Sequence, residues 1–415
     1  MTPLADETRD RLPALDGLRG IAILLVMAFH LYGLVYVLDG RWDRGTVDLW
    51  VGRGFGVGWV GVDLFFVLSG FLITGILLDA KGSATYFRSF YARRVLRIFP
   101  LYYAFIIFML VVAPRFDLGD SASLRDNQFW YWSYLTNIGF SFDGLASAAP
   151  FGNAHVHLWS LAVEEQFYLI WPLAVLALDR RKLAALCVVL IPLALGVRMF
   201  LISDLAPDAV RANAPYGLMP ARFDTLALGA LLAVGARTDV GLERWRRYVP
   251  LVLGVALAIL AALFVTQEGI SFIDPDVQSI GYTAIAASFA CLLLLVVTAP
   301  ANGALQRALS AGWLRSFGKY SYALYVVHPI VAQTIARRIA EHYDVPLVFG
   351  SQIPLAIAIG LGAGAASFGV AWLSWHLLER HFLALKRFFP YAGEPPRDGR
   401  EASPAAEPQL AARTS

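Results

Sequence analysis

The residues best suited to chemistry lie in apolar stretches, and the first pair is Arg19 and His30. Eleven residues separate them, close to three helical turns, so in a helix both side chains share a face about 16 Å apart along the axis. This arrangement suits a long ligand with phosphates at one end and a reactive group at the other. The alternative is an Arg anchored to lipid phosphates and a His bonded to a neighbouring helix.

A second candidate is the basic cluster in the segment Tyr91–Pro100, which contains Arg93, Arg94 and Arg97. Arginine forks match phosphate oxygens in bidentate geometry, so the cluster predicts a phosphate-binding entrance at a membrane surface. Arg93 and Arg97 are four residues apart and are expected to share a helical face. The alternative is a set of anchors for lipid headgroups.

The third candidate is the stretch from His157 to Tyr168. One face of the predicted helix carries four polar side chains: His157, Ser160, Glu164 and Tyr168. Glu165 is turned about 100° from Glu164. Two adjacent carboxylates cannot both ionise comfortably in a low-dielectric bundle, so one is expected to pair with a cation such as Arg222 or with a histidine.

Further polar groups lie within apolar runs, where they indicate function by default. His328 has a depth similar to that predicted for His30, and Asp63 requires a partner. The neighbouring Ser69 and Gly70 are better explained as small residues that let helices pack closely.

Long apolar stretches must position these groups. Hydrophobic residues make up 58% of the 415 residues and charged residues only 16%, well below a soluble globular chain. The net charge of +3 gives no indication of a nucleic-acid partner. Stretches of about 20 apolar residues predict an all-α bundle of about ten transmembrane helices. The predicted spans are 17–38, 58–79, 97–113, 157–178, 183–202, 217–236, 248–266, 279–298, 317–338 and 350–378.

Basic residues indicate the orientation and the domain limits. Lys and Arg concentrate in alternate loops, which places both termini in the cytoplasm by the positive-inside rule. Residues 1–388 form one predicted membrane domain, and residues 389–415, rich in Pro, Ala, Glu and Arg, form a predicted disordered cytoplasmic tail. Cys187 and Cys291 lie in apolar runs and are interpreted as buried thiols; no metal site is expected.

With these residues in view, the chain resembles the membrane acyltransferase-3 family of bacterial O-acyltransferases over residues 11–383. The resemblance rests on six segments in order: Leu15–Arg19 leading to His30, Gly61–Ile73, Arg93–Pro100, His157–Tyr168, Arg222–Leu226 and Ser321–His328. Many members carry a C-terminal extracytoplasmic hydrolase-like domain, which the tail cannot supply, so the resemblance is to a stand-alone form.

The resemblance implies a multi-pass enzyme of the bacterial cytoplasmic membrane that transfers an acyl group, usually acetyl from acetyl-coenzyme A. The implied acceptor is a hydroxyl of a surface polysaccharide, a lipid-linked sugar or a small metabolite, and no cofactor is bound permanently. The Arg19–His30 pair is implied to be essential, and the arginine cluster is implied to handle coenzyme A.

Together these considerations predict a site with two parts. The donor would be held by Arg19, Arg93, Arg94 and Arg97. Candidate catalytic residues are His30, Arg19, Glu164, Glu165, Ser160 and His328. His30 would act as general base with help from Glu164 or Glu165, and both direct transfer and a covalent acyl-histidine relay stay open. The rival function is a transporter or flippase, in which His, Glu and Arg would form a relay.

Overall fold

The computed structural model describes residues 13–39, 45–118, 121–142, 155–206, 211–238, 240–343 and 347–391. Its α-helices, numbered here in chain order, are α1 (Pro13–Asp39), α2 (Thr46–Gly56), α3 (Gly61–Ala80), α4 (Tyr86–Ile107), α5 (Ser121–Asp126), α6 (Gln128–Trp132), α7 (Thr136–Phe142), α8 (Trp159–Ala177), α9 (Arg180–Ile202), α10 (Ala214–Gly217), α11 (Phe223–Gly235), α12 (Val249–Thr266), α13 (Tyr282–Val297), α14 (Ala304–Leu309), α15 (Gly312–His342), α16 (Ile353–Ser374) and α17 (Arg380–Ala384). The described ranges contain no strand, only one isolated bridge between Val348 and Ser351. The predicted all-α membrane fold is therefore confirmed.

Short 3₁₀ or π segments extend or join several of these helices. They are Val57–Val60, Phe108–Val112, Ala113–Phe116, Val156–Leu158, Met219–Arg222, Glu243–Tyr248, Val277–Gly281, Trp375–Glu379 and Leu385–Phe388. Two of them matter for the site, because Val156–Leu158 leads into α8 and Met219–Arg222 leads into α11.

Seven helical stretches in the described part of the chain are long and apolar enough to cross a membrane. They are Pro13–His30, Thr46–Ala80, Tyr86–Phe116, Arg180–Ile202, Glu243–Thr266, Val277–Val297 and Ile353–Phe388. The other three predicted spans coincide with α8, α11 and α15, which are helical but shorter or more polar. The count of ten spans and the cytoplasmic termini stay predictions, and the predicted tail beyond Tyr391 lies outside the described residues.

Close contact between α1 and α15 positions the first two candidate residues. A Cβ atom at Gly318 would lie 1.8 Å from the backbone oxygen of Asp16, and one at Gly20 would lie 2.3 Å from that of Leu314. Only glycine permits these approaches, as is common where membrane helices pack tightly. The face of α1 that carries Arg19 and His30 is thereby held against α15.

A second close contact joins α3 to α11. A Cβ at Gly70 would lie 2.0 Å from the backbone oxygen of Leu226, and one at Gly229 would lie 2.0 Å from that of Val67. The packing role predicted for Gly70 is therefore confirmed. Cys187 and Cys291 are both free and buried, as predicted.

Candidate active site

A polar cavity of about 130 Å³ lies among α1, α3, α4, α8 and α15. Its polar lining consists of Arg19, Ser69, Arg94, Arg97, Ser160, Glu164, Glu165, Tyr168, Ser321, Tyr322 and Tyr325. Five helices that are far apart in the sequence thus bring six of the predicted site residues to one space. Apolar side chains of α3, α4 and α8 complete the wall.

Arginines form one side of the polar cavity. The Nη2 atom of Arg19 donates a hydrogen bond to Ser321 Oγ at 3.0 Å, and the Arg94 guanidinium lies over the rings of Phe90 and Tyr168. The Nε atom of Arg94 is buried and has no hydrogen-bond partner. Across the described residues, no carboxylate lies within ion-pair distance of Arg19, Arg94 or Arg97. This side of the cavity can therefore receive an anion.

Arg93 does not line the polar cavity. Its Nη1 atom donates to the carbonyl oxygen of Phe389 at 3.2 Å, and its guanidinium lies 4.7 Å from the ring centre of Tyr391. Ser89 Oγ donates to the carbonyl oxygen of Pro390 at 2.7 Å. Arg93 thus fastens the segment after the last helix to α4, whereas Arg94 and Arg97 turn inward.

The two glutamates have different surroundings within the cavity. Glu164 Oε1 accepts a hydrogen bond from Ser69 Oγ at 2.6 Å, and Tyr168 donates its hydroxyl hydrogen to Ser69 Oγ at 3.0 Å. Glu165 Oε1 is buried without a hydrogen-bond partner. One glutamate is predicted to pair with a cation such as Arg222 or with a histidine. The choice of Arg222 is wrong, because Arg222 pairs with Asp63.

Ser160 and Tyr325 line the polar cavity and contact each other. Their hydroxyl oxygens are 2.5 Å apart, and they lie 3.3 Å and 3.0 Å from the carbonyl oxygen of His157. Beyond this pair lies a group of three imidazoles that do not line the cavity: His30, His157 and His328.

Hydrogen bonds fix the proton positions in two of these imidazoles. His30 Nδ1 lies 2.8 Å from the carbonyl oxygen of Val26, and His328 Nδ1 lies 2.8 Å from that of Leu324. A carbonyl oxygen only accepts, so each Nδ1 carries the hydrogen and each neutral ring has its lone pair on Nε2. His328 Nε2 is 3.2 Å from His30 Nδ1 and accepts a share of that hydrogen. The lone pair of His30 Nε2 is therefore left to act as a base.

The third imidazole, His157, has a different environment. Its ring centre lies 6.5 Å from that of His30 and 5.9 Å from that of His328, and the residue is only 8% exposed. In the described structure, neither ring nitrogen has a hydrogen-bond partner. Its backbone, in contrast, is held by Ser160 and Tyr325.

A separate group of charges, called the paired network, lies between α3, α9, α11 and α13. It contains Asp63, Arg198, Arg222 and Asp224, all with fully buried side chains. Arg222 bonds Asp63, and Arg198 Nη2 lies 2.9 Å from Asp224 Oδ2. Thr283 Oγ1 donates to Asp224 Oδ2 at 2.8 Å. Asp63 therefore has the partner that its position required.

Sequence reasoning gave too little weight to several residues of both groups. The sequence favours a packing role for Ser69, yet Ser69 bonds Glu164. Ser321 and Tyr325 belong to a recognised segment but are not predicted as site residues, although both line the cavity. Arg198 was not singled out, although a cation within a predicted span is a signal in itself. The hydroxyl groups carry no such signal, because Ser and Tyr are common in membrane helices.

Comparison with known proteins defines the class. A family model described as an acyltransferase domain matches residues 12–376. The chain belongs to this acyltransferase family, as the sequence predicted, and it is a multi-pass membrane member.

Individual relatives agree with this assignment. The chain is 30% identical over 336 residues to peptidoglycan O-acetyltransferase OatA of Listeria monocytogenes, covering 79% of this chain and 50% of the relative. It is 29% identical over 358 residues to O-acetyltransferase OatA of Staphylococcus aureus, covering 77% of this chain and 50% of the relative. The chain therefore spans about half the length of the curated relatives that it matches. No solved structure matches the chain significantly.

Proposed function

We propose that this protein is an O-acetyltransferase of the bacterial cytoplasmic membrane that moves an acetyl group from acetyl-coenzyme A to a hydroxyl of a cell-envelope glycan. The observation that carries the proposal is the polar cavity, which leads from unpaired arginines to the Ser160–Tyr325 pair and the histidines beyond it. The names of the relatives favour a peptidoglycan sugar as acceptor over a small metabolite. Family membership does not favour the transporter alternative.

Arg19, Arg94 and Arg97 are suited to hold the phosphates of the donor. Charge-assisted hydrogen bonds to phosphate are about twice as strong as neutral ones. Within the described residues, these guanidinium groups have no paired carboxylate to displace first. With these arginines on the predicted cytoplasmic side, the pantetheine arm would extend through the cavity toward Ser160 and Tyr325.

His30 Nε2 is the proposed general base. It takes the proton of the acceptor hydroxyl, whose oxygen attacks the thioester carbonyl carbon; the carbon–sulfur bond then breaks and the proton passes to the leaving thiolate. His328 and the Val26 carbonyl hold the ring in the required tautomer through His30 Nδ1. Should the acyl group pass first to His30, the same atom would be the nucleophile.

Purified protein in detergent, supplied with acetyl-coenzyme A and peptidoglycan fragments, tests the proposal through acceptor-dependent release of free thiol. We expect His30→Ala to lower turnover by about 10²-fold or more without loss of folded protein. The matched control is His376→Ala, because His376 Nδ1 also lies 2.8 Å from the carbonyl oxygen four residues earlier but is outside the site.

Two results would contradict the proposal at different levels. Near-normal turnover by folded His30→Ala would remove His30 as the base. Transport of a glycan precursor across a vesicle membrane by the unaltered protein, without thiol release, would support the transporter function instead.

A further inference from the structure

The geometry points to His157 as the group that binds the thioester carbonyl oxygen when negative charge develops on it. This inference rests on the proposed function and adds a catalytic residue to it. It derives from the hydrogen bonds of the three neighbouring imidazoles and from the contacts of His157 with Ser160 and Tyr325, which line the polar cavity.

The first argument concerns burial. His157 is 8% exposed, and both of its ring nitrogens are buried without a hydrogen-bond partner in the described structure. Buried polar groups in folded proteins are nearly always hydrogen-bonded, and each exception calls for an explanation. A ligand atom that occupies the site during turnover would satisfy one of these nitrogens.

The second argument concerns the supply of N–H donors. The Nδ1–H groups of His30 and His328 are both committed to backbone carbonyl oxygens, and His328 Nε2 faces His30. A neutral imidazole always carries one N–H group. Of these three histidines, only His157 has no ring nitrogen in a well-formed hydrogen bond within the described structure; the backbone of Tyr325 and Val326 is near the ring but outside hydrogen-bonding geometry. It can therefore donate to an oxyanion while His30 accepts a proton.

The third argument concerns placement. The His157 backbone carbonyl is 3.0 Å from the Tyr325 hydroxyl and 3.3 Å from Ser160 Oγ, both of which line the cavity. The centre of its ring lies 5.2 Å from that of the Tyr325 ring and 6.5 Å from that of the His30 ring. His157 is thus anchored at the boundary between the cavity and the base. The thioester reaches it by displacing the hydrogen bond between Ser160 and Tyr325.

The step that His157 assists is the addition to the carbonyl. The acceptor oxygen forms a bond to the carbonyl carbon and gives its proton to His30, while the π electrons move to the carbonyl oxygen. The His157 N–H group donates to this oxygen. When the carbon–oxygen double bond forms again, the carbon–sulfur bond breaks and the thiolate receives the proton from His30. A preorganised donor of this kind acts mainly on the transition state.

Three variants test the inference in the full-length protein with acetyl-coenzyme A and peptidoglycan fragments. His157→Phe keeps a ring and removes both nitrogens, and we expect it to lower kcat about 10²–10³-fold with little change in the KM values of donor and acceptor. His157→Gln places an amide near Nε2, and His157→Asn places one near Nδ1. One of the two should recover part of kcat and thereby identify the donating nitrogen.

A spectroscopic measurement separates this role from a purely structural one. A ketone analogue of acetyl-coenzyme A, with CH₂ in place of sulfur and ¹³C at the carbonyl, would be bound to the unaltered protein and to each variant. We expect a downfield carbonyl shift on the unaltered protein, loss of it in His157→Phe, and partial return in the rescuing variant. If His157→Phe folds poorly, the carbonyl shift and kcat of the two amide variants, compared with each other, test the same role.

Other outcomes would overturn the inference. Unchanged kcat in folded His157→Phe, or an effect confined to the acceptor KM, would show that His157 does not bind the carbonyl oxygen. These results require an active unaltered protein. Absence of thiol release and of transfer by that protein would instead contradict the proposed function itself.

Discussion

The paired network and the polar cavity contain the same kinds of charged side chain but arrange them for different purposes. The paired network joins two arginines to two aspartates by direct contacts, all fully buried. The polar cavity also collects arginines and carboxylates from several helices, yet in the described structure no ion pair joins them. Charges that satisfy one another stabilise the packing of helices, whereas charges left apart around a space are available to a ligand.

The cost of removing charges from water explains why the difference between paired and unpaired charges indicates function. A charge removed from water is expensive unless a partner and hydrogen bonds compensate it. Arg198 obtains this compensation from Asp224, Thr283 and the carbonyl oxygen of Ala221. Atoms without a hydrogen-bond partner occur in both groups of the described structure: Asp63 Oδ2, Arg198 Nε, Arg222 Nε and Arg222 Nη1 in the paired network, and Arg94 Nε and Glu165 Oε1 in the polar cavity. The difference lies in the ion pairs, which of the two groups only the paired network has. The fold tolerates the unpaired groups of the cavity, and phosphate binding would supply the missing contacts of Arg94.

Loss of one member of the paired network should have the largest effect on stability. Arg222→Leu leaves Asp63 as a buried, uncompensated carboxylate between α3 and α11, and we expect a loss of about 3–5 kcal/mol in the free energy of unfolding. Thermal unfolding and yield in detergent measure this loss. Arg94→Leu, in the cavity, breaks no ion pair and should change the free energy of unfolding by only about 1 kcal/mol, through lost ring contacts.

A double variant serves as the control for this comparison. Asp63→Asn combined with Arg222→Leu removes both charges and should recover most of the lost stability. Equal destabilisation by Arg222→Leu and Arg94→Leu would show that pairing does not distinguish the two regions.

Donor binding should separate two neighbouring arginines of α4 by a smaller amount. Arg97 lines the cavity, and Arg93 instead contacts Phe389 and Tyr391. A charge-assisted contact contributes about 1.5–3 kcal/mol, so Arg97→Ala should raise the KM for acetyl-coenzyme A by about 10–100-fold. Arg93→Ala should leave this KM within about threefold of the original value, since Arg93 does not line the cavity and contacts the C-terminal segment.

Steady-state kinetics at saturating acceptor would measure both constants. Similar KM increases in the two variants would mean that Arg93 also meets the donor, as the sequence alone predicted. Unchanged KM in both would make the cluster a lipid anchor.

The arginines also show what could be predicted from the sequence. Helical periodicity depends only on local geometry, so it placed Arg19 and His30 on one face of α1. Both indeed contact α15, through Ser321 and His328. For α4 the sequence predicts one face with Arg93 and Arg97, whereas in the structure Arg94 and Arg97 line the cavity and Arg93 contacts the C-terminal segment. Which of Arg93 and Arg94 faces the cavity depends on how α4 packs against α8 and the C-terminal segment, which no local pattern specifies.

Ion-pair partners on different helices are harder to predict from the sequence for the same reason. The need of Asp63 for a cation followed from its position, but the identity of Arg222 depended on the contact of Gly70 and Gly229 that brings α3 to α11. The sequence alone instead suggests Arg222 as a cation for one of the glutamates of α8. A sequence shows which groups need compensation, whereas the tertiary structure decides which group supplies it.

Glu164 and Glu165 give the finest test of the comparison between satisfied and unsatisfied charges. Glu164 accepts a hydrogen bond from Ser69, whereas Glu165 Oε1 has no hydrogen-bond partner among the described residues. We expect Glu164→Gln to lower turnover about 2–10-fold, because the amide weakens a contact worth about 0.5–1.5 kcal/mol that orders the cavity wall. Glu165→Gln should leave thermal stability unchanged or higher, since it removes a buried charge without breaking an ion pair.

Turnover per folded molecule and melting temperature, measured for both variants together, decide between these effects. Ser69→Ala is the matched control, because it removes the hydroxyl from Glu164 without altering either carboxylate. It should reproduce the fall in turnover of Glu164→Gln. If Glu165→Gln lowers turnover more than Glu164→Gln, the unsatisfied carboxylate is the catalytic one. The rule drawn from the arginines, that unpaired charges around this cavity serve a ligand, would then extend to its acidic side.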